Sequence, residues 1–148
     1  MKERIYICHT YYHVYITILK ELAMSKVDYG KATLVLSKMS NDFGELKSRA
    51  EAVGLFEEIL ELDEKKDTFF PELEKYKKDK GNILFNMISR IQYTKKFAKL
   101  QEKYIHIPFK EYKQIYVYCD ADPIGLYLNQ KRIRYHALED GLNSLGEI

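Results

Sequence analysis

Ile5-Tyr6-Ile7-Cys8-His9-Thr10-Tyr11-Tyr12-His13-Val14 stands near the start of the chain and decides how the rest is read. Its first four residues form a compact apolar run rich in β-formers, the pattern of a strand buried on both faces. His9 to His13 is a polar, aromatic loop. Over residues 14–24 the apolar positions Val14, Ile18, Leu19 and Leu22 recur at helical spacing. A buried strand followed at once by an amphipathic helix is the opening unit of an α/β sheet.

Working outward, Gly30 punctuates the return to a second apolar run at residues 32–36. Asn41 or Asp42 is a cap for a helix to about Val53, with Gly54 at the favoured C-terminal position. Residues 56–62 give a short third strand with acidic neighbours. A helical insertion at about residues 69–105 follows, in two segments: 71–80, opened by Pro71, and 83–104, capped by Asn82. The apolar positions of the second segment include Ile83, Met87, Ile91 and Phe97. Residues 115–119 return to strand pattern. Asp122-Pro123 is a cap plus first-turn proline for a helix to Gln130, and residues 133–138 read as a buried fifth strand. The right-handed crossover rule then predicts a doubly wound, mostly parallel, Rossmann-like sheet of about five strands in order 3-2-1-4-5. All 148 residues fit one domain.

That order has a switch point between strands 1 and 4, where ligands of open parallel sheets bind at the strands' carboxyl ends. The loops after strands 1, 4 and 5 would line one crevice and gather His9, Thr10, His13, Asp120, Asp122, Glu139 and Asp140. Glu139-Asp140-Gly141 ends the fifth run. Two adjacent carboxylates repel, which moves one toward neutrality and suits it to general-base work; the same residues also make an ordinary strand-end turn. Asp120-Ala121-Asp122 has the form of a DxD metal site, since hard cations favour paired carboxylates, yet capping also accounts for Asp122-Pro123. His9 and His13, four apart, suit a hydrogen-bonding role toward substrate or a helix capped at Thr10 better than metal ligation, because no third ligand stands at recognisable spacing.

Composition narrows the classes. With 24 basic and 22 acidic side chains the net charge is +2, too balanced to argue for nucleic acid. The stretch 75–103 is lysine-rich, which suits either a solvated helix face or attraction to anionic lipids. Thirteen Tyr and seven Phe without Trp suit wet clefts and interfaces, or reflect codon bias. Cys8 and Cys119 sit in apolar runs without CxxC spacing, as expected of a reducing compartment. No signal peptide or membrane span is apparent, so the expectation is a cytoplasmic protein, with peripheral contact at the membrane's inner face as the alternative. The first βα loop holds no glycine, and GxGxxG, P-loop and GxSxG motifs are absent. That moves the usual dehydrogenases, P-loop kinases and serine hydrolases to the rear.

Two stretches resemble one family. Residues 5–14 look like the strand, T-x-Y-H and apolar-helix start of bacterial glycosyltransferase family 52, which includes lipooligosaccharide sialyltransferases and capsule enzymes. Tyr135-His136-Ala137-Leu138-Glu139-Asp140-Gly141 is similar to its acidic-acidic-glycine motif, and residues 120–128 resemble the strand-four region between them. The resemblance implies the N-terminal, acceptor-side half of a GT-B enzyme. It implies Glu139, or alternatively Asp140, as the base that deprotonates an acceptor hydroxyl, with His9, Thr10, Tyr11, His13, Asp120, Asp122 and Gly141 binding substrate. It also implies a nucleotide-sugar donor such as CMP-sialic acid, a surface-glycan acceptor, and neither metal nor cofactor. The family's His-Pro donor motif lies in a C-terminal domain; this chain has no His-Pro pair, so that domain is expected beyond Ile148. The competing expectation is a non-catalytic, flavodoxin-like binding or regulatory module.

Overall fold

The computed structural model describes residues 1–39, 43–118 and 123–138. Five strands form one all-parallel sheet: β1 (Lys2–Cys8), β2 (Ala32–Ser37), β3 (Glu58–Leu62), β4 (Tyr112–Val117) and β5 (His136–Ala137), in the order β3-β2-β1-β4-β5. This is the α/β, Rossmann-like arrangement and the strand order that the sequence pattern predicts. β1 is central, with Ile5 registered against Thr33 on one side and Ile115 on the other.

The pleat of β1 sorts its side chains to two cores. Ile5 and Ile7 face a cluster with Ile115, Val117, Ile124 and Leu128, on the side covered by α5 (Pro123–Gln130) and the 105–109 segment. Tyr6 and Cys8 face the other side, with Val14, Leu34, Leu36 and Tyr118, beneath α1 (Tyr11–Leu22) and α2 (Leu46–Val53). Burial on both faces explains why Ile5, Tyr6, Ile7 and Cys8 are an unbroken apolar run. α2 starts at Leu46 and ends at Gly54, whose φ of 75° is the left-handed conformation that glycine adopts without a Cβ clash. The proposed caps Asn41 and Asp42 lie outside the described residues.

Four expectations change. α1 begins at Tyr11 rather than Val14, because Thr10 caps it, and Leu19 and Leu22 are exposed. The face it buries is His13, Val14, Thr17 and Glu21. Three of those four are polar, so an apolar pattern could not locate it. The segment 71–80 is not one helix but a 3₁₀ turn at Pro71–Leu73 followed by the four-residue α3 (Glu74–Lys77). The long helix forms as α4 (Ile83–Gln101), with Asn82 accepting from the Leu84 amide at 2.8 Å. Of its anticipated core positions only Phe97 is buried; Ile83, Met87 and Ile91 face solvent. Finally, the strand expected to be buried at residues 133–138 is reduced to His136 and Ala137, both exposed. Arg134 and His136 are polar, and β5 stands beside β4 with no strand on its other flank among the described residues.

Candidate functional site at the carboxyl edge of the sheet

The carboxyl ends of β1, β2 and β3 converge on a buried polar cluster. His9 follows β1, Ser37 ends β2, and Glu64 lies two residues past β3. All three are buried, His9 at 4% exposure and Glu64 at 1%. His9 Nε2 is 3.6 Å from Glu64 Oε2, an ion-pair distance. The Ser37 hydroxyl donates to Glu64 Oε1 and accepts from the Met39 amide at 3.2 Å. One carboxylate thus ties the second and third strand ends to the first loop. Glu64 Oε2 has no hydrogen-bond partner among the described residues, leaving acceptor capacity within reach of an imidazole.

The loop itself is held by its own side chains. Thr10, at φ −134° and ψ 163°, accepts from the His13 amide at 3.1 Å and so satisfies one open donor of α1. The His9 amide donates to His13 Nδ1 at 3.0 Å. That bond makes Nδ1 the acceptor, so the proton of the neutral His13 ring is on Nε2. The ring stacks on Tyr118 with centroids 4.5 Å apart and planes 7° from parallel. Thr17 donates its hydroxyl to the His13 carbonyl at 2.9 Å, so the Tyr118 hydroxyl is the donor in its 2.8 Å bond to Thr17. Burial pushes the Tyr118 phenol well above its ordinary value. Burial likewise pushes the Cys8 thiol up to about 12, only partly offset by its contact with Thr17. Cys8 is therefore a packed hydrophobe rather than a nucleophile.

A second polar cluster braces the opposite end of α1. Arg4 donates to both carboxylate oxygens of Glu21, at 2.7 and 2.5 Å, and to the Asp28 carbonyl at 2.6 Å. Tyr6 donates to Glu21 at 2.8 Å. The Glu21 carboxylate raises the Arg4 guanidinium above its usual value, and burial pushes the Tyr6 phenol up. His13, Thr17 and Glu21, spaced by four, form one polar stripe that fixes both the tilt and rotation of α1.

Of the residues expected to bind substrate, His9, Thr10 and His13 come together at this edge, beside the β1/β4 switch point. Tyr11 begins α1 with its ring half-exposed; its hydroxyl donates to the Phe43 carbonyl at 3.2 Å and its ring meets Phe43 edge-on. Asp120, Asp122, Glu139, Asp140 and Gly141 lie outside the described residues, as does Cys119. The last described residue before Glu139 is Leu138. Its amide donates to the Val117 carbonyl at 2.7 Å, and its side chain packs in the cluster of Val14 and Tyr118. Among the described residues no group of three or more His, Cys, Asp or Glu is arranged to hold a metal, and no helix is long and apolar enough to cross a membrane.

Sequence reading did not single out Ser37, Glu64, Arg4 or Glu21. Glu64 was findable by the logic applied to Glu139: an acid just past a strand's carboxyl end. Glu21 was signalled by its four-residue spacing from His13 and Thr17. A groove of about 710 Å³ lies elsewhere, at the amino end of β4, and is lined by Lys113, Gln114, Asn129, Arg132, Arg134 and His136 among others. Its position away from the strands' carboxyl ends sets it apart from the site.

These features define a Rossmann-like α/β domain with a buried His–Glu–Ser cluster at the carboxyl edge of its sheet. No family model, curated protein or solved structure matches the chain.

Proposed function

We propose that the chain is the acceptor-side domain of a glycosyltransferase that moves a sugar from a nucleotide-sugar donor, such as CMP-sialic acid, to a surface glycan. The observation that carries this reading is a juxtaposition. His9, Thr10 and the first turn of α1 stand at the switch point, while Leu138, directly before Glu139, packs in the cluster of Val14 and Tyr118 in the wall of the same edge. The described chain thus reaches Leu138, the residue before Glu139, in the same wall as the buried His9 and His13.

The chemistry follows from the groups present. A sugar hydroxyl is a poor nucleophile and needs a base as it attacks. Glu139, or Asp140, takes that proton as the acceptor oxygen bonds to the anomeric carbon and the donor's sugar–phosphate bond breaks, the nucleotide leaving with the electron pair. His13, buried and stacked on Tyr118, fixes the shape of the segment that faces the acceptor. His9 and Glu64 hold the loop from behind. A donor-binding C-terminal domain bearing the His-Pro motif completes the proposed GT-B enzyme.

The test is sugar transfer by the enzyme containing this domain. Glu139→Gln and Asp140→Asn are assayed with a labelled nucleotide sugar, and circular dichroism monitors folding. At least one variant is expected to lose transfer while remaining folded. Full turnover in both refutes the assignment, and flavin binding by the purified chain instead would favour the flavodoxin-like alternative.

A further inference from the structure

The first turns of α4 present apolar side chains to solvent in an unusual concentration. Ile83, Leu84, Phe85, Met87, Ile88 and Ile91 range from 44% exposed at Ile88 to 80% at Ile83. Single exposed apolar residues need no explanation, but six within nine positions form a contiguous patch. Local structure nevertheless holds the helix start firmly. Asn82 caps it, Asp79 accepts from the Gly81 amide and the Asn86 side chain, and Asn86 accepts from the Lys80 amide. The inward face of α4 is separate: Tyr93, Phe97 and Leu100 pack against Phe70, Leu73 and Tyr104.

Charge identifies what fits this patch. Residues 75–103 contain eight lysines and one arginine but only two acids, Asp79 and Glu102, in a chain whose net charge is +2. The rest of the molecule is therefore net acidic, and positive charge is concentrated around this helix. Leu84, Ile88 and Ile91 define a stripe that continues, at the same spacing, through Lys95 and Lys99. Lys78, Lys80 and Lys96 are also exposed. An apolar end bounded by lysines matches an acyl layer beneath anionic headgroups. A second copy of the chain fits poorly, since an isologous contact would set the same cations against one another.

We propose that the α4 amino-terminal half is a membrane-docking element. Ile83, Leu84, Phe85, Met87, Ile88 and Ile91 enter the interface of an anionic bilayer, and the surrounding lysines contact its headgroups. The nine residues from Ile83 to Ile91 span about 13 Å of helix, enough to reach the headgroup–acyl boundary when tilted, without crossing the bilayer. This element is independent of the glycan chemistry above, so either reading can fail alone.

The test is co-sedimentation of the full chain with vesicles of phosphatidylcholine alone or mixed with phosphatidylglycerol, with sedimentation velocity run in parallel. The protein is expected to bind the anionic vesicles and to remain a monomer in solution. Lys95→Glu with Lys99→Glu is expected to weaken binding by about thirtyfold or more. Phe85→Ser with Ile88→Ser is expected to weaken it about tenfold or more, with an unchanged thermal transition because both sites are exposed. No sedimentation with anionic vesicles overturns the proposal. So does a solution dimer that Phe85→Ser dissociates, which would assign the patch to a second copy. Binding that the lysine reversals leave unchanged also overturns it.

Discussion

Replacing Glu21 with glutamine should be among the most damaging near-isosteric changes available to this fold. The carboxylate is fully buried, receives two hydrogen bonds from Arg4 and one from Tyr6, and has no access to water. Glutamine keeps the volume but removes the charge and turns one acceptor into a donor facing the guanidinium. Arg4 then remains as a buried cation with the Asp28 carbonyl and one amide oxygen. Breaking such a pair from one side costs about 3–5 kcal/mol. With a urea slope of about 2 kcal/mol/M for a chain of this size, the unfolding midpoint should fall by about 2 M. Removing both charges together, as Arg4→Met with Glu21→Leu, leaves no unpaired buried charge, although the Tyr6 hydroxyl and the Asp28 carbonyl lose their bonds to the pair, and should come within about 2 kcal/mol of the parent. Urea unfolding followed by far-UV circular dichroism measures all three proteins. A Glu21→Gln midpoint within about 0.3 M of the parent, or a double variant as unstable as the single one, would refute the brace. Because α1 carries His13 at its other end, the single variant should also shift the His13 ring resonances in an NMR spectrum.

Three further outcomes are expected. Thr10→Ala should destabilise the fold by about 1 kcal/mol through loss of the α1 cap, measured by the same urea titration; Thr10→Ser should restore most of it. The Asp67 carboxyl is held below its ordinary value of 3.8, chiefly by Lys77 and then by the Tyr93 hydroxyl. The unfolded chain therefore binds that proton more readily than the folded one. Asp67 contributes stability above about pH 4 that is lost as pH falls through the folded value, and Asp67→Asn should flatten the acid limb of a stability–pH profile. Cys8, in a Cys119→Ser background, should resist a thiol reagent at pH 8 in the folded protein and react only as the chain unfolds, since it is buried with its thiol pushed up to about 12. Rapid labelling of the folded protein would contradict this.

The central sheet was readable because burial on both faces requires continuous apolar runs, as at residues 5–8 and 32–36, and because crossover handedness leaves few orders for five parallel strands. Caps were equally readable: Asn82 and Gly54 act locally, through their own backbone neighbourhoods. What failed depended on partners distant in sequence. α1 buries a polar face because Arg4, Tyr6 and Tyr118 wait opposite it, and no periodicity of apolar residues can announce that. Ile83 and Met87 look like core residues in a helical pattern, but both lie on the exposed face of α4. Within the site, strand-then-helix punctuation located His9 to His13 but placed the start of α1 too late, since Tyr11 to His13 form its first turn, whereas Glu64 and Ser37 join the site only once three strands are aligned.

The two borders of the sheet differ in what they offer an incoming chain. Along β3, Glu58 is engaged by Lys2 at 2.8 Å and Glu61 by Lys38 at 2.6 Å. A strand arriving there would have to lie across two neutralised but strongly hydrated pairs, which guards against edge-to-edge growth. The opposite border ends in the two residues of β5, with neither side chain buried. Any extension of the hydrogen-bonded ladder, whether by more of the same polypeptide or by another molecule, therefore has a preferred direction, and it is the flank from which the chain runs on to Glu139.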